Sequence, residues 1–149
     1  MIDATFTDNY KNVTKVTILD AKKVFYPLNY VLQKRNIIYD DDLAIEVSLL
    51  PENIKYPSSS KITDAGLIRA YKITFDINGQ SPEHEAKLES YQNKKVIIVL
   101  HYTGGRMIFG CNEMPLDYSF DDENTADPQS YSGFSITCSG NSYYLKVSL

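Results

Sequence analysis

An antiparallel β-rich domain, a barrel or sandwich of about nine or ten strands with one short flanking helix, is the fold class the sequence predicts. Three observations predict it. Short runs of alternating apolar and polar residues recur along the chain, with Gly, Asn, Asp or Ser between many of them. Twelve Tyr and six Phe, with no Trp, accompany many Val, Ile and Thr, residue types that suit a pleated, half-buried surface. Only one segment carries a clear helix-start signal. At 149 residues the chain makes one domain, read as 1–149 with an N-terminal arm over about 1–12 and a long loop over about 51–66.

The stretch from Ile68 to Gly110 holds the clearest signals. Tyr71 to Ile77 (YKITFDI) alternates, so one face is buried, and Asn78-Gly79 stops it because both residues tolerate positive φ. Ser81 is placed to cap a helix whose first residue is Pro82, with Glu83 and Glu85 near the positive end of its dipole. The helix is expected to end by Asn93, too short to stand alone. His84, Leu88 and Tyr91 fall on one stripe that docks on the sheet. Val96 to Leu100 is apolar without a break, as expected of a strand covered on both faces. Thr103-Gly104-Gly105 then turns it into Arg106–Phe109, completing a hairpin.

Upstream, MIDATFTDNYKN is a polar arm or short edge strand, and Val13 to Leu19 is a strand. Asp20-Ala21 is expected to turn it into a second strand, Lys22 to Leu28, ended by Pro27. Tyr30 to Arg35 fits strand or a helical turn. Leu43 to Leu49 alternates well, and Asp40-Asp41-Asp42 is expected to tip a hairpin before it. Pro51 to Gly66 (PENIKYPSSSKITDAG) lacks strand pattern and is expected to be irregular, either an interaction loop that orders on a partner or a plainly disordered segment. Downstream, Leu116 to Phe120 is a strand and DDENTADPQS an acidic loop. Ser132 to Ser139 is the next strand, turned at Gly140-Asn141 into a final strand, Tyr143 to Leu149.

The charge of −4 and pI near 5.1 argue against a module that wraps nucleic acid, which needs concentrated Lys and Arg. Met1-Ile2-Asp3-Ala4 has no basic region or following apolar run, and no stretch approaches the ~18 apolar residues of a membrane span, so the expectation is a protein made and kept in solution. Cys111 and Cys138 are expected to be reduced, packed thiols.

Chemistry is sparse. The only histidines, His84 and His101, sit in no nucleophile–base motif. Two Cys and two His scattered along the chain lack the local spacing of a zinc site. Thr103-Gly104-Gly105-Arg106 lies between strands rather than at a helix start, so it does not cradle phosphate. The acidic triplet and the Asp121, Asp122, Glu123 and Asp127 group read as solvated segments; the spaced ligands of an EF-hand are missing. No catalytic residue, metal or cofactor is expected.

From Leu67 to Gly140 the order YKITFDI, PEHEAKLESYQ, KKVIIVLHYTGG, RMIFG and GFSITCSG resembles small structural proteins of tailed phages and prophages of the Bacteroidetes. The resemblance implies a non-enzymatic virion component, a tail tube, tail completion or head-to-tail connector protein, forming a ring or tube through which DNA passes. It would be made in the cytoplasm of the bacterial host. Partners would be copies of itself and other tail or connector proteins, with no sequence-specific nucleic acid contact and no membrane. The last strand, SYYLKVSL, and the polar arm depart from that pattern. Ring contacts are expected from the loops and termini: Tyr56, Pro57 and Ile62; Asp121, Asp122 and Tyr131; Tyr143 and Tyr144. The alternatives are a ligand- or carbohydrate-binding sandwich, which needs a concave tyrosine-lined patch, and a hydrolase, which needs convergent carboxylates or a His pair.

Overall fold

A computed structural model describes residues 12–40, 44–78, 82–123, 133–142 and 147–148. Strand β1 (Val13–Asp20) forms where the sequence predicts a strand and pairs antiparallel with β8 (Lys95–Tyr102), Ile18 opposite Ile98. On the other side of β1 lies β4 (Ile45–Ser48), with Val16 opposite Val47. β9 (Gly105–Phe109) returns along β8 as the predicted hairpin, and β12 (Val147–Ser148) pairs with β9. These strands form one layer, in the order β4-β1-β8-β9-β12.

The second layer is reached through β10 (Leu116–Glu123), which touches β8 only at Leu116–Val96 and Asp117–Lys95 before leaving to pair with β11 (Gly133–Ser142). β11 pairs with β7 (Gly66–Asn78), and β7 with both β5 (Ile54–Lys55) and β6 (Ser58–Thr63). The result is one continuous antiparallel sheet folded into a sandwich, and it does not close into a barrel among the described residues. The inner faces share one core, including Val16, Ile18, Phe75, Ile98, Phe109, Phe134 and Ile136.

β8 explains its own unbroken apolar sequence. Val96, Ile98 and Leu100 face the sandwich core, whereas Ile97 and Val99 face a second cluster with Leu19, Tyr26, Val31, Ile108 and Cys111. That outer cluster is covered by a small lobe of β2 (Val24–Phe25), α1 (Leu28–Leu32) and β3 (Ile38–Tyr39). The lobe corrects the expected strand over Lys22 to Leu28: β2 pairs with β3 rather than folding back on β1. Asp20 turns the chain, its Oδ1 accepting from Lys22 N at 3.0 Å while Lys94 Nζ lies 3.6 Å from Oδ2. Asn112 then holds the lobe in place. Its Oδ1 accepts from Tyr26 N (2.6 Å), and its Nδ2 donates to Ala21 O (2.8 Å) and Val24 O (3.1 Å).

Helix α2 (Pro82–Glu89) forms where Pro82 predicted, and Asn93 at φ 66 ends the turns that follow it. The expected Ser81 cap lies outside the described residues. Leu88 and Tyr91 enter the sandwich core, and complete burial of a side chain such as Leu88 is worth about 2 kcal/mol. The strand of Leu43 to Leu49 is present as Ile45–Ser48; of the acidic triplet, only Asp40 is described.

Three further expectations are corrected. Pro51 to Gly66 is not irregular: a short 3-10 turn (Pro51–Asn53) leads into β5 and β6. Gly140-Asn141 does not turn but continues β11. Glycine is needed there because a Cβ would meet Leu116 Cδ2 at 2.6 Å and Leu116 Cα at 3.3 Å, where β10 crosses over. β10 also runs on to Glu123, so Asp121 and Asp122 lie on a strand paired to β11, not in a loop.

Candidate functional site

The β6–β7 hairpin is exposed over β6 and its tip. Ser58 to Lys61 and Ile62 are all exposed, so neither face of β6 has a layer against it. A two-residue turn, Asp64-Ala65, closes it between Thr63 and Gly66, with Gly66 at φ +110 and Thr63 Oγ1 donating to Gly66 O at 2.9 Å. Arg69 Nη1 donates to Ser60 Oγ at 3.0 Å across the pair. At the tip Ile62 stands opposite Leu67, and the two are 84% and 43% exposed.

A second apolar patch lies on the lobe. Phe25 and Ile38 are cross-strand partners, 50% and 62% exposed, with Leu32 at 58% nearby in sequence on α1. The Phe25 and Tyr30 rings meet edge to face at 4.9 Å, and Arg35 lies over Tyr30 at 5.3 Å. A strand over Lys22 to Leu28 folded back on β1 hides this patch, whose sequence signal is the apolar set Phe25, Leu32 and Ile38.

The third feature is a furrow along the outer edge of β4. Three adjoining hollows of about 400, 360 and 280 Å³ share Ser48 and Ile77 at one junction and Ile45 and Lys87 at the other. Their walls are β4, the end of β7 and helix α2, with Val47, Leu88 and Lys94 among the lining.

Of the predicted contact residues, Ile62 is at the hairpin tip and Pro57 is exposed at its base. Tyr56 is half-buried, its ring 6.3 Å from that of Phe109. Asp121 is exposed on β10 opposite Ser135. Asp122 lies on the same strand, opposite Phe134. Tyr131, Tyr143 and Tyr144 lie outside the described residues. The structure therefore sets Pro57 and Ile62 at opposite ends of one hairpin and Asp121 on a different strand.

The remaining chemistry is local. His101 Nε2 is 2.9 Å from Thr17 Oγ1, and burial together with Lys15 and Arg106 pushes its pKa down. Cys111 and Cys138 are free and buried, and burial raises both thiol pKa values, that of Cys138 to about 12. No group of three or more His, Cys, Asp or Glu side chains is arranged to hold a metal among the described residues. Tyr26, Tyr71, Tyr91 and Tyr118 are core side chains. A shallow cleft of about 390 Å³ between Pro57, Lys72, Ser139 and Asn141 has one carboxylate, Asp117, which is paired with Lys95. No helix among the described residues is long and apolar enough to cross a membrane. No family model, curated protein or solved structure matches the chain.

Proposed function

We propose that this chain is a non-enzymatic, self-assembling subunit of a tailed-phage virion, forming a ring or tube in the tail or head-to-tail connector through which DNA passes. The phage assignment rests on the resemblance over Leu67 to Gly140; the observation that supports self-assembly is the exposed β6–β7 hairpin with Ile62 and Leu67 bare at its tip. Apolar side chains grouped on an extended arm are characteristic of interaction surfaces. A ring subunit needs two different surfaces, one for each neighbour. The hairpin tip and the Phe25–Ile38 patch lie on separate elements and provide such a pair. The acidic balance, with a net charge of −4, also suits a channel wall that does not hold DNA. The tyrosines, which suggested a sugar-binding sandwich, lend that alternative little support because four of them are spent on the core.

The experiment is mass photometry and negative-stain electron microscopy of the purified chain, alone and mixed with the products of neighbouring genes. Closed rings or tubes are expected. A strict monomer under all these conditions overturns the reading.

A further inference from the structure

The open edge of β4 is the feature that the proposed ring contacts leave unused. β4 pairs with β1 on one side, and among the described residues no strand lies on the other. Leu49 N donates to Thr14 O at 2.9 Å, which makes Thr14–Leu49 a hydrogen-bonded pair in the β1–β4 register. Antiparallel pairing alternates, so Val47 and Ile45 also direct their backbone groups to β1, whereas Glu46 and Ser48 direct theirs to the open edge. N–H and C=O groups that meet no strand among the described residues, beside a furrow floored by Ile45, Val47, Ile77 and Leu88, are a template for one more strand.

We infer that this edge receives residues 2–7 of a second copy of the chain, added as a strand beside β4. The inference rests on the self-assembly reading and names one of its contacts. Three observations select this occupant. First, Ile2, Ala4 and Phe6 alternate with Asp3, Thr5 and Thr7, so a strand made of them has one apolar face. Placed beside β4, that face falls on the side of Ile45 and Val47, towards Ile77 and Leu88, and the polar residues fall on the side of exposed Glu46 and Ser48. Second, the first eleven residues precede the described chain, which enters β1 beside the end of β4, where Thr14 meets Leu49. Six extended residues span about 20 Å, more than the length of β4. Third, Asp8 shares the face of Ile2, Ala4 and Phe6, and the furrow end holds Lys23 and Lys87 besides the Asp20–Lys94 pair, while the first ten residues contain no Lys or Arg.

Glu46→Pro provides a selective test. Its N–H faces the open edge, so proline removes a donor from the docking edge and none from the β1 ladder. Circular dichroism and thermal melting check that this variant, and a variant lacking residues 2–8, remain folded. Both are expected to assemble at least tenfold more weakly than the parent in sedimentation velocity. In a third variant a photo-crosslinking phenylalanine replaces Phe6, and light- and heavy-isotope copies are mixed. Crosslinks between copies that land on 45–48 or 84–88 support the inference. Crosslinks within one copy or to other surfaces overturn it, as does assembly that both edge variants leave unchanged; in the latter case self-assembly itself stands. A parent chain that never assembles overturns both.

Discussion

The Tyr118 hydroxyl of β10 donates to the Leu88 carbonyl of α2 at 2.9 Å, inside the core. One side chain thus ties the second layer to the helix and gives the Leu88 carbonyl at the helix C-terminus a second donor beside Tyr91 N (3.3 Å). Burial pushes the Tyr118 pKa well above that of an exposed tyrosine, so the hydroxyl stays protonated and remains a donor across the physiological range. Tyr118→Phe keeps the ring packing against Tyr91 but leaves the Leu88 carbonyl with only its longer bond from Tyr91 N, at 3.3 Å. The expected loss is about 0.5–1.5 kcal/mol in urea unfolding.

Tyr26 gives the opposite result for the same substitution. It is fully buried, its hydroxyl finds no hydrogen-bond partner among the described residues, and burial raises its pKa to about 12. An unmet buried hydroxyl is a cost that phenylalanine does not carry. Tyr26→Phe is expected to leave stability unchanged or raise it by about 1 kcal/mol. Chemical unfolding of the two variants side by side separates a paired from an unpaired phenol.

Asn112 is the joint between the sandwich and its lobe. Replacing it by Ala removes the acceptor for Tyr26 N and the donor to Ala21 O and Val24 O together. A loss of about 2–3 kcal/mol is expected. Hydrogen exchange should show the 21–39 segment opening first, because the lobe depends on this side chain while the β1–β8 pairing does not.

What was legible in the sequence follows from where side-chain pattern decides structure. The unbroken Val96–Leu100 run reported a strand covered on both faces, and Pro82 reported the helix start. Ser58–Thr63 was illegible for a physical reason: an exposed strand needs no apolar alternation, since its partner β7 supplies the backbone bonds. The lobe was misread because Val24 and Phe25 fit a strand paired to either neighbour, and the choice of β3 depends on Asn112, far away in sequence. Gly140 reads as a turn in the sequence, whereas its role is close approach to Leu116, a contact visible only once β10 and β11 are placed. Of the proposed contacts, Ile62 is named from sequence alone and the structure places it exposed at a hairpin tip, whereas the β4 furrow requires the fold.

The pH response of His101 has a definite sign. Burial, then Lys15 and Arg106, lower its folded pKa, with Glu46 opposing, while the unfolded chain titrates near 6.5. A depressed pKa means that the unfolded state binds the proton more readily. The stability linked to neutral His101 is therefore fully present above about pH 6.5 and is lost as the pH falls through the folded pKa. NMR titration of the ring should give a midpoint below 6.5, and His101→Gln should flatten the stability profile over that acidic window. A midpoint above 6.5 would contradict the assigned surroundings.

Ile62 distinguishes folding from assembly. Because it is 84% exposed at the hairpin tip, Ile62→Lys removes almost no contact within the chain and is expected to change monomer stability by no more than about 0.5 kcal/mol. If the tip is a subunit contact, its burial there contributes up to about 1.5–3 kcal/mol, the range for a large aliphatic side chain taken fully out of water. Each contact then weakens by about tenfold or more, and the loss is repeated at every junction of a closed ring. Sedimentation velocity beside thermal melting reads both quantities. The expected pair is unchanged melting with weakened assembly; unchanged melting with unchanged assembly would remove the hairpin tip from the interface.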